Sequence, residues 1–248
     1  MKATLRLSYH FLIALSLLMI TACQQCQSGF TSGATYHHQN QTHEYDPGTA
    51  PGSSVDGSDE ENGENIDIRD IWQKPSVVLD ILGDLEDKVV ADIGAGPYGY
   101  FSLRVASQTK AKKVIAIDID QEALDFIDEA GKALLPETAS TKLEARLATD
   151  NDPKLQEGEA DIILIVNTTI YFEDRLQYFR NLQRGLASGG HLVVIEFKKK
   201  KTPFGPHLED RVSLGQLERD LLASGYELVS SDDKTLEFQY IITAIKKD

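Results

Sequence analysis

The residues best suited to chemistry stand together at Asp92-Ile93-Gly94-Ala95-Gly96-Pro97-Tyr98-Gly99. Gly94, Gly96 and Gly99 satisfy G-x-G-x-x-G, which invites a dinucleotide such as NAD. By itself the pattern says only that a ligand approaches the backbone where a helix begins. Asp92 discriminates between ligands. A carboxylate two residues before the first glycine repels a pyrophosphate and attracts a cation. S-adenosylmethionine carries an ammonium and a sulfonium and no phosphate, so it suits Asp92 where NAD does not. Farther along, Tyr171, Glu196 and His207 are the candidates for moving a proton.

Elements must end where these residues stand. Val89–Gly94 is a short apolar run of the buried parallel-strand kind, and Lys113–Asp118, Leu143–Ala148, Asp161–Asn167 and His191–Phe197 follow as further strands. Helices fall between them: one opened by Pro75 and ended by Gly83, then Tyr100–Ser107, Glu122–Lys132, and Glu173–Ala187 capped by Ser188-Gly189-Gly190. Leu214–Ala223 starts after the N-cap Ser213. Tyr226–Ser231 and Thr235–Lys246 are two strands joined by a polar turn, hence antiparallel neighbours. The expected fold is α/β: a doubly wound, Rossmann-like sheet of seven strands, mostly parallel, with a C-terminal antiparallel hairpin.

Val90-Ala91-Asp92-Ile93-Gly94-Ala95-Gly96 resembles motif I of the class I S-adenosylmethionine-dependent methyltransferases. Val114-Ile115-Ala116-Ile117-Asp118-Ile119-Asp120 is similar to their second motif, and Leu186–Leu192 to the turn entering their fifth strand. The resemblance runs from about Ile66 to Lys246. It implies S-adenosylmethionine as cofactor, with Gly94, Ala95 and Gly96 against the methionine portion and Asp92 on the ammonium side. Asp118 is implied as acceptor for both ribose hydroxyls, and Ile119 as packing on adenine. Asp150, Asn151 or Asp152 is implied on the adenine amino group, the three being equivalent at this level. Asn167, at the end of the fourth strand, is implied beside the transferable methyl. Relatives often read Gly-x-Gly-x-Gly-Tyr-Phe, whereas Pro97-Tyr98 adds one residue before Gly99, leaving the role of Gly99 open.

Methyl transfer is a direct displacement, helped by alignment and exclusion of water. A base is needed only for an acceptor that must lose a proton. Relatives often carry Tyr-His-His where Thr169-Ile170-Tyr171 stands, so Tyr171 is the polar group left; its other reading is a packing aromatic. Glu196 and His207 read equally as rim residues or ion-pair partners. Trp72 and Gln73, ahead of the Pro75 helix, either close the site or staple the chain to the body. Lys198–Lys201 reads as anion attraction or as a solvated loop.

The preceding residues have another character. Lys2 and Arg6 precede the apolar run Phe11–Ile20, as in a secretory signal, and Ile20-Thr21-Ala22-Cys23 resembles a bacterial lipobox. The expectation is cleavage before Cys23, lipidation of that residue and attachment to a membrane of the cell envelope. Residues 23–65 are rich in Gly, Ser, Thr, Asn, Gln, Asp and Glu and read as a disordered tether. His37, His38, His43 and Cys26 lie in it. Residues 66–248 are the domain. Of 248 residues, 41% are hydrophobic, enough for a core; 39 acids against 25 cations argue against a nucleic-acid partner and for a small-molecule or envelope substrate. Two cysteines exclude a disulfide scaffold or four-thiolate zinc site. The rivals are a nicotinamide-dependent oxidoreductase and a binding or scaffold protein without turnover.

Overall fold

The computed structural model describes residues 68–247 together with Tyr36–His38 and Gln41–His43. The chain divides into two units, 1–47 and 48–248. In the first, Tyr36–His38 and Gln41–His43 pair antiparallel, Tyr36 opposite His43, inside the stretch whose composition reads as a tether. The expected signal sequence, Cys23, Cys26 and the rest of that tether lie outside the described residues.

In the second unit, seven strands form one sheet: β1 (Val89–Ile93), β2 (Lys113–Asp118), β3 (Leu143–Leu147), β4 (Ala160–Val166), β5 (Leu186–Phe197), β6 (Tyr226–Asp232) and β7 (Gln239–Lys246). Their order is β3-β2-β1-β4-β5-β7-β6. The first five run parallel, and β7 is antiparallel to both β5 and β6. The order reverses between β1 and β4, so their tips flank the crevice where such sheets hold ligands. Helices α1 (Ile68–Gln73), α2 (Pro75–Leu82), α3 (Tyr100–Gln108), α4 (Gln121–Leu134), α5 (Glu137–Ser140), α6 (Arg175–Gly185) and α7 (Leu214–Ala223) fill the connections.

Period-two alternation builds two cores from one sheet. Ala91, Ile163, Ile165, Leu192 and Val194 face Phe179 and Leu182 of α6 and Leu217 and Leu221 of α7. Val90, Ile162, Leu164, Val193 and Ile195 face Val78 and Leu82 of α2 and Phe101 and Val105 of α3.

Several boundaries differ from expectation, each for a local reason. Helix α6 starts at Arg175 because the Asp174 side chain accepts from Gln177 N, and it stops at Gly185. A Cβ on Gly185 would come within 2.7 Å of Leu155, and Leu186 already pairs with Ala160, so Ser188-Gly189-Gly190 becomes a bulge inside β5 rather than a helix cap. Strand β7 starts at Gln239 instead of Thr235, because Asp232 Oδ1 takes the N–H groups of Lys234 and Thr235 and folds them into a turn. Helices α1 and α5 carry too few residues for a periodic signal.

The sheet ends in two unlike edges. On β3, Glu144 and Arg146 share one face and join Lys113 and Glu159 in a four-residue ion network, with Arg146 to Glu159 at 2.6 Å and Lys113 to Glu144 at 2.6 Å. On β6, the register slips by a bulge between Leu228 and Ser230.

Candidate functional site

Alternation along β1 sends Asp92 to the α3 side of the sheet, where Ser102 Oγ donates to its Oδ2 at 2.6 Å. Asp92 is 3% exposed. Burial pushes its carboxyl up to about 6, and the nearby Asp118 charge adds to the rise; Ser102 and the positive charge of Arg69 oppose it.

The loop beyond β1 is held against β2. Gly94 N and Ala95 N both donate to Ile117 O, at 2.8 and 3.1 Å. Gly94 and Gly96 have φ of 71° and 72°, the left-handed region that glycine alone enters without strain. Their surroundings differ. A Cβ on Gly94 would lie 2.4 Å from the Thr168 side chain, whereas one on Gly96 would meet nothing within 4 Å. The chain therefore leaves space over Gly96 and packs Thr168 over Gly94. Gly99 has a third function: it precedes α3, and a Cβ there would meet Ile127 at 2.8 Å, so it permits close helix packing. The inserted Tyr98 stands at the surface, edge-on to Phe126.

Asp118 ends β2 across from this loop. Its Oδ2 accepts from Gly96 N at 2.8 Å and its Oδ1 from Asp120 N at 3.1 Å, leaving further lone pairs on each oxygen. Burial raises its pKa, and those backbone hydrogen bonds oppose the rise. The next residue, Ile119, exposes an apolar surface at the rim, as does Leu147 at the end of β3. Beyond β3, Asp152 is committed to its own turn, taking Lys154 N at 2.8 Å and Lys154 Nζ at 2.7 Å. Asp150 and Asn151 are exposed; the backbone carbonyl of Asn151 accepts from Asn181.

At the tip of β4, Asn167 adopts φ 57° and donates its N–H to Ile195 O. Its side-chain Oδ1 accepts from Gln239 Nε2 at 2.7 Å; Gln239 Oε1 accepts from Gln73 Nε2 at 3.2 Å; Gln73 Oε1 accepts from Arg69 Nε. Gln73 and Gln239 are fully buried. A short 3-10 turn, Thr169–Tyr171, follows. Glu196 lies inside, 1% exposed, rather than on the rim or in an ion pair: Thr169 N and Oγ1 both donate to its Oε1, at 2.7 and 2.8 Å. Burial pushes Glu196 up to about 7, against those bonds. It braces the turn carrying Tyr171, which is 39% exposed.

His207 is exposed in the loop between β5 and α7. That loop is organised by buried Arg211, which donates to the carbonyls of Lys198, Lys200, Phe204 and Pro206. Within the lysine run, Lys198 Nζ is spent on the carbonyls of Leu236 and Glu237. Trp72 packs at a 39° tilt against Phe204, 4.8 Å between ring centres, and Phe197, 5.5 Å, stapling α1 to this loop. On its other side α1 is fastened by Arg69, whose guanidinium lies 3.8 Å from the Tyr100 ring centre, and by Asp70, which accepts from Tyr100 and Arg104. Sequence reasoning missed Arg69, Thr168 and Gln239; the signal for Gln239 was an amide opening an otherwise apolar strand.

Two buried carboxylates thus flank a left-handed glycine loop at the point where the strand order reverses. Residues 91–194 match the family model of a methyltransferase domain. No curated protein matches the chain. Among solved structures, the chain is similar to the S-adenosylmethionine-dependent methyltransferase of Aquifex aeolicus, at 21% identity and TM-score 0.64, covering 72% of this chain and 93% of that one. The [4+2]-cyclase SpnF is similar at 16% identity and TM-score 0.59, over 71% and 81%. Geranyl diphosphate C-methyltransferase from Streptomyces coelicolor A3(2), solved with S-adenosylhomocysteine, is similar at 16% identity and TM-score 0.56, over 70% and 78%. At such identities the likeness is one of fold, and the expected seven-stranded, mostly parallel sheet with its antiparallel end is the fold of this methyltransferase-like domain.

Proposed function

We propose that residues 68–247 bind S-adenosylmethionine at the tips of β1, β2 and β4 and transfer its methyl group to a small molecule or cell-envelope component. The observation carrying this is the pair Asp92 and Asp118, both buried, on either side of a glycine loop that is open over Gly96. The donor set fits the ligand. Asp118 retains acceptor capacity for two ribose hydroxyls, Asp92 suits an ammonium, and neither suits a diphosphate. Ile119 offers the apolar face for adenine, with Asp150 or Asn151 for its amino group.

When bound, the cofactor supplies a methyl group already activated by a sulfonium. The protein's part is to align and to exclude water. Thr168 packs over Gly94, and Glu196 holds Thr169 so that the turn beneath the acceptor keeps its shape. Tyr171, 39% exposed on that turn, is the candidate to take the proton of an acceptor that must lose one. Glu196 acts on the turn rather than on substrate.

Calorimetric titration of the chain with S-adenosylmethionine and NADH is the test. S-adenosylmethionine should bind, and Asp118→Ala should weaken it at least tenfold; NADH binding without a response to S-adenosylmethionine overturns the proposal. The lipobox-like segment supports a lipid anchor at Cys23, so Cys23→Ser should move the chain from the membrane to the soluble fraction of the envelope. That same location favours a second reading, a binding protein without turnover, since S-adenosylmethionine is made in the cytoplasm. Labelled methyl transfer to envelope extract excludes it; binding with no transfer to any fraction supports it.

A further inference from the structure

The hydrogen bonds from Arg69 to Asn167 have a fixed direction. A guanidinium can only donate, so Gln73 must turn its Oε1 to Arg69 and its Nε2 inward. That forces Gln239 to receive on Oε1 and donate from Nε2, and forces Asn167 to receive on Oδ1. What remains at the outer end is the Asn167 Nδ2 group, two N–H donors without a partner among the described residues. No described buried side-chain nitrogen or oxygen lacks a partner, so this group is reached by solvent. It sits one residue before Thr168, whose side chain covers Gly94, and therefore beside the loop assigned to the amino-acid end of the ligand. A donor whose sense is imposed by an arginine selects an acceptor. An amino acid held through its ammonium at Asp92 carries such an acceptor on the same carbon.

We infer that Arg69, Gln73, Gln239 and Asn167 form a polarity-fixed relay whose outermost amide N–H2 receives the carboxylate at the amino-acid end of the bound cofactor. This rests on the S-adenosylmethionine site proposed above. Asn167 is the binding residue, and Gln73 and Gln239 are positioning residues. Two near-isosteric changes probe it. Asn167→Asp keeps an acceptor for Gln239 and replaces the outer donor with an anionic oxygen, and aspartate tolerates the left-handed backbone there. Gln73→Glu still accepts from Arg69, but its second oxygen also demands a donor. Gln239 must then turn over, Asn167 follows, and a carbonyl replaces the N–H2 at the outer end.

The experiment is calorimetric titration of the full chain and both variants with S-adenosylmethionine and with its decarboxylated form, which differs only by the carboxylate. The unmodified chain should prefer S-adenosylmethionine by about tenfold, the scale of one charge-assisted hydrogen bond. In Asn167→Asp and in Gln73→Glu that preference should shrink to about threefold or less, because S-adenosylmethionine binds more weakly while the decarboxylated ligand, which keeps its cations, binds no more weakly than before. A preference that survives either substitution overturns the relay, and so does an equal loss for both ligands, which marks a structural effect. If Gln73→Glu fails to fold by circular dichroism, Asn167→Asp alone decides. Failure of the unmodified chain to bind either ligand overturns the proposed function itself, an outcome distinct from binding both equally.

Discussion

The buried carboxyl of Asp92 makes cofactor affinity depend on pH in a calculable way. With its titration near 6, about one-eleventh of the folded molecules carry the charge at pH 5, and nearly all do at pH 8. An ammonium binds the charged form, so affinity for S-adenosylmethionine should rise about tenfold from pH 5 to pH 8 and level off above 7. Burial raises Asp118 as well, against the backbone hydrogen bonds it accepts from Gly96 and Asp120. Stability should move the opposite way. Folding lifts Asp92 from 3.8 to about 6, so the folded state holds its proton more tightly than the unfolded chain between those values. Stability therefore falls as pH climbs through that interval, by about 3 kcal/mol, and the loss is complete by about pH 7. Asp92→Asn should melt higher than the unmodified chain at pH 8 while binding the cofactor more weakly and with less dependence on pH. Titration calorimetry at five pH values, paired with thermal melts, measures both. Equal affinity at pH 5 and 8, or unimpaired binding by Asp92→Asn, refutes the assignment of the ammonium to this carboxylate.

Three further perturbations have defined outcomes. Gly94→Ala forces a Cβ to 2.4 Å from Thr168 at positive φ and should destabilise the fold by about 2–4 kcal/mol in denaturant melts, whereas Gly96→Ala meets no atom, should cost only about 1 kcal/mol, and should instead lower cofactor affinity. Glu196→Gln retains the acceptor for Thr169 and removes a buried charge whose pKa is lifted from 4.5 to about 7, so it should gain about 3 kcal/mol over the unmodified chain above pH 7 and nothing below 4.5, as read by thermal melts across pH. Arg211→Met leaves four loop carbonyls without their donor and should speed amide exchange across residues 198–213 while leaving the sheet protected.

Long-range order was legible in the sequence wherever burial on both faces forced apolar runs. Lys113–Asp118 and Leu214–Ala223 have the boundaries expected of them, because an apolar run and a capping serine leave little freedom. The start of β7 was not legible, since it depends on one aspartate capturing two neighbouring N–H groups. At the candidate site, the glycines and both acids could be read from local spacing. Their division of labour could not. Gly94 and Gly99 look equivalent in the motif, yet one meets Thr168 and the other Ile127, partners 74 and 28 residues away in the chain. The relay was hidden for the same reason: Gln73 and Gln239 lie 166 residues apart and meet only after the sheet has closed.

The two borders of the sheet bear on how this domain tolerates company. An outer strand with unpaired backbone groups is a template for a neighbour's strand, and copies gathered on a surface meet more often than copies in solution. At β3 an incoming strand would have to disturb the ion network around Arg146, and at β6 it would have to follow an irregular register. Each border thus carries a feature of the kind that blunts strand addition, clustered charge at β3 and a bulge at β6.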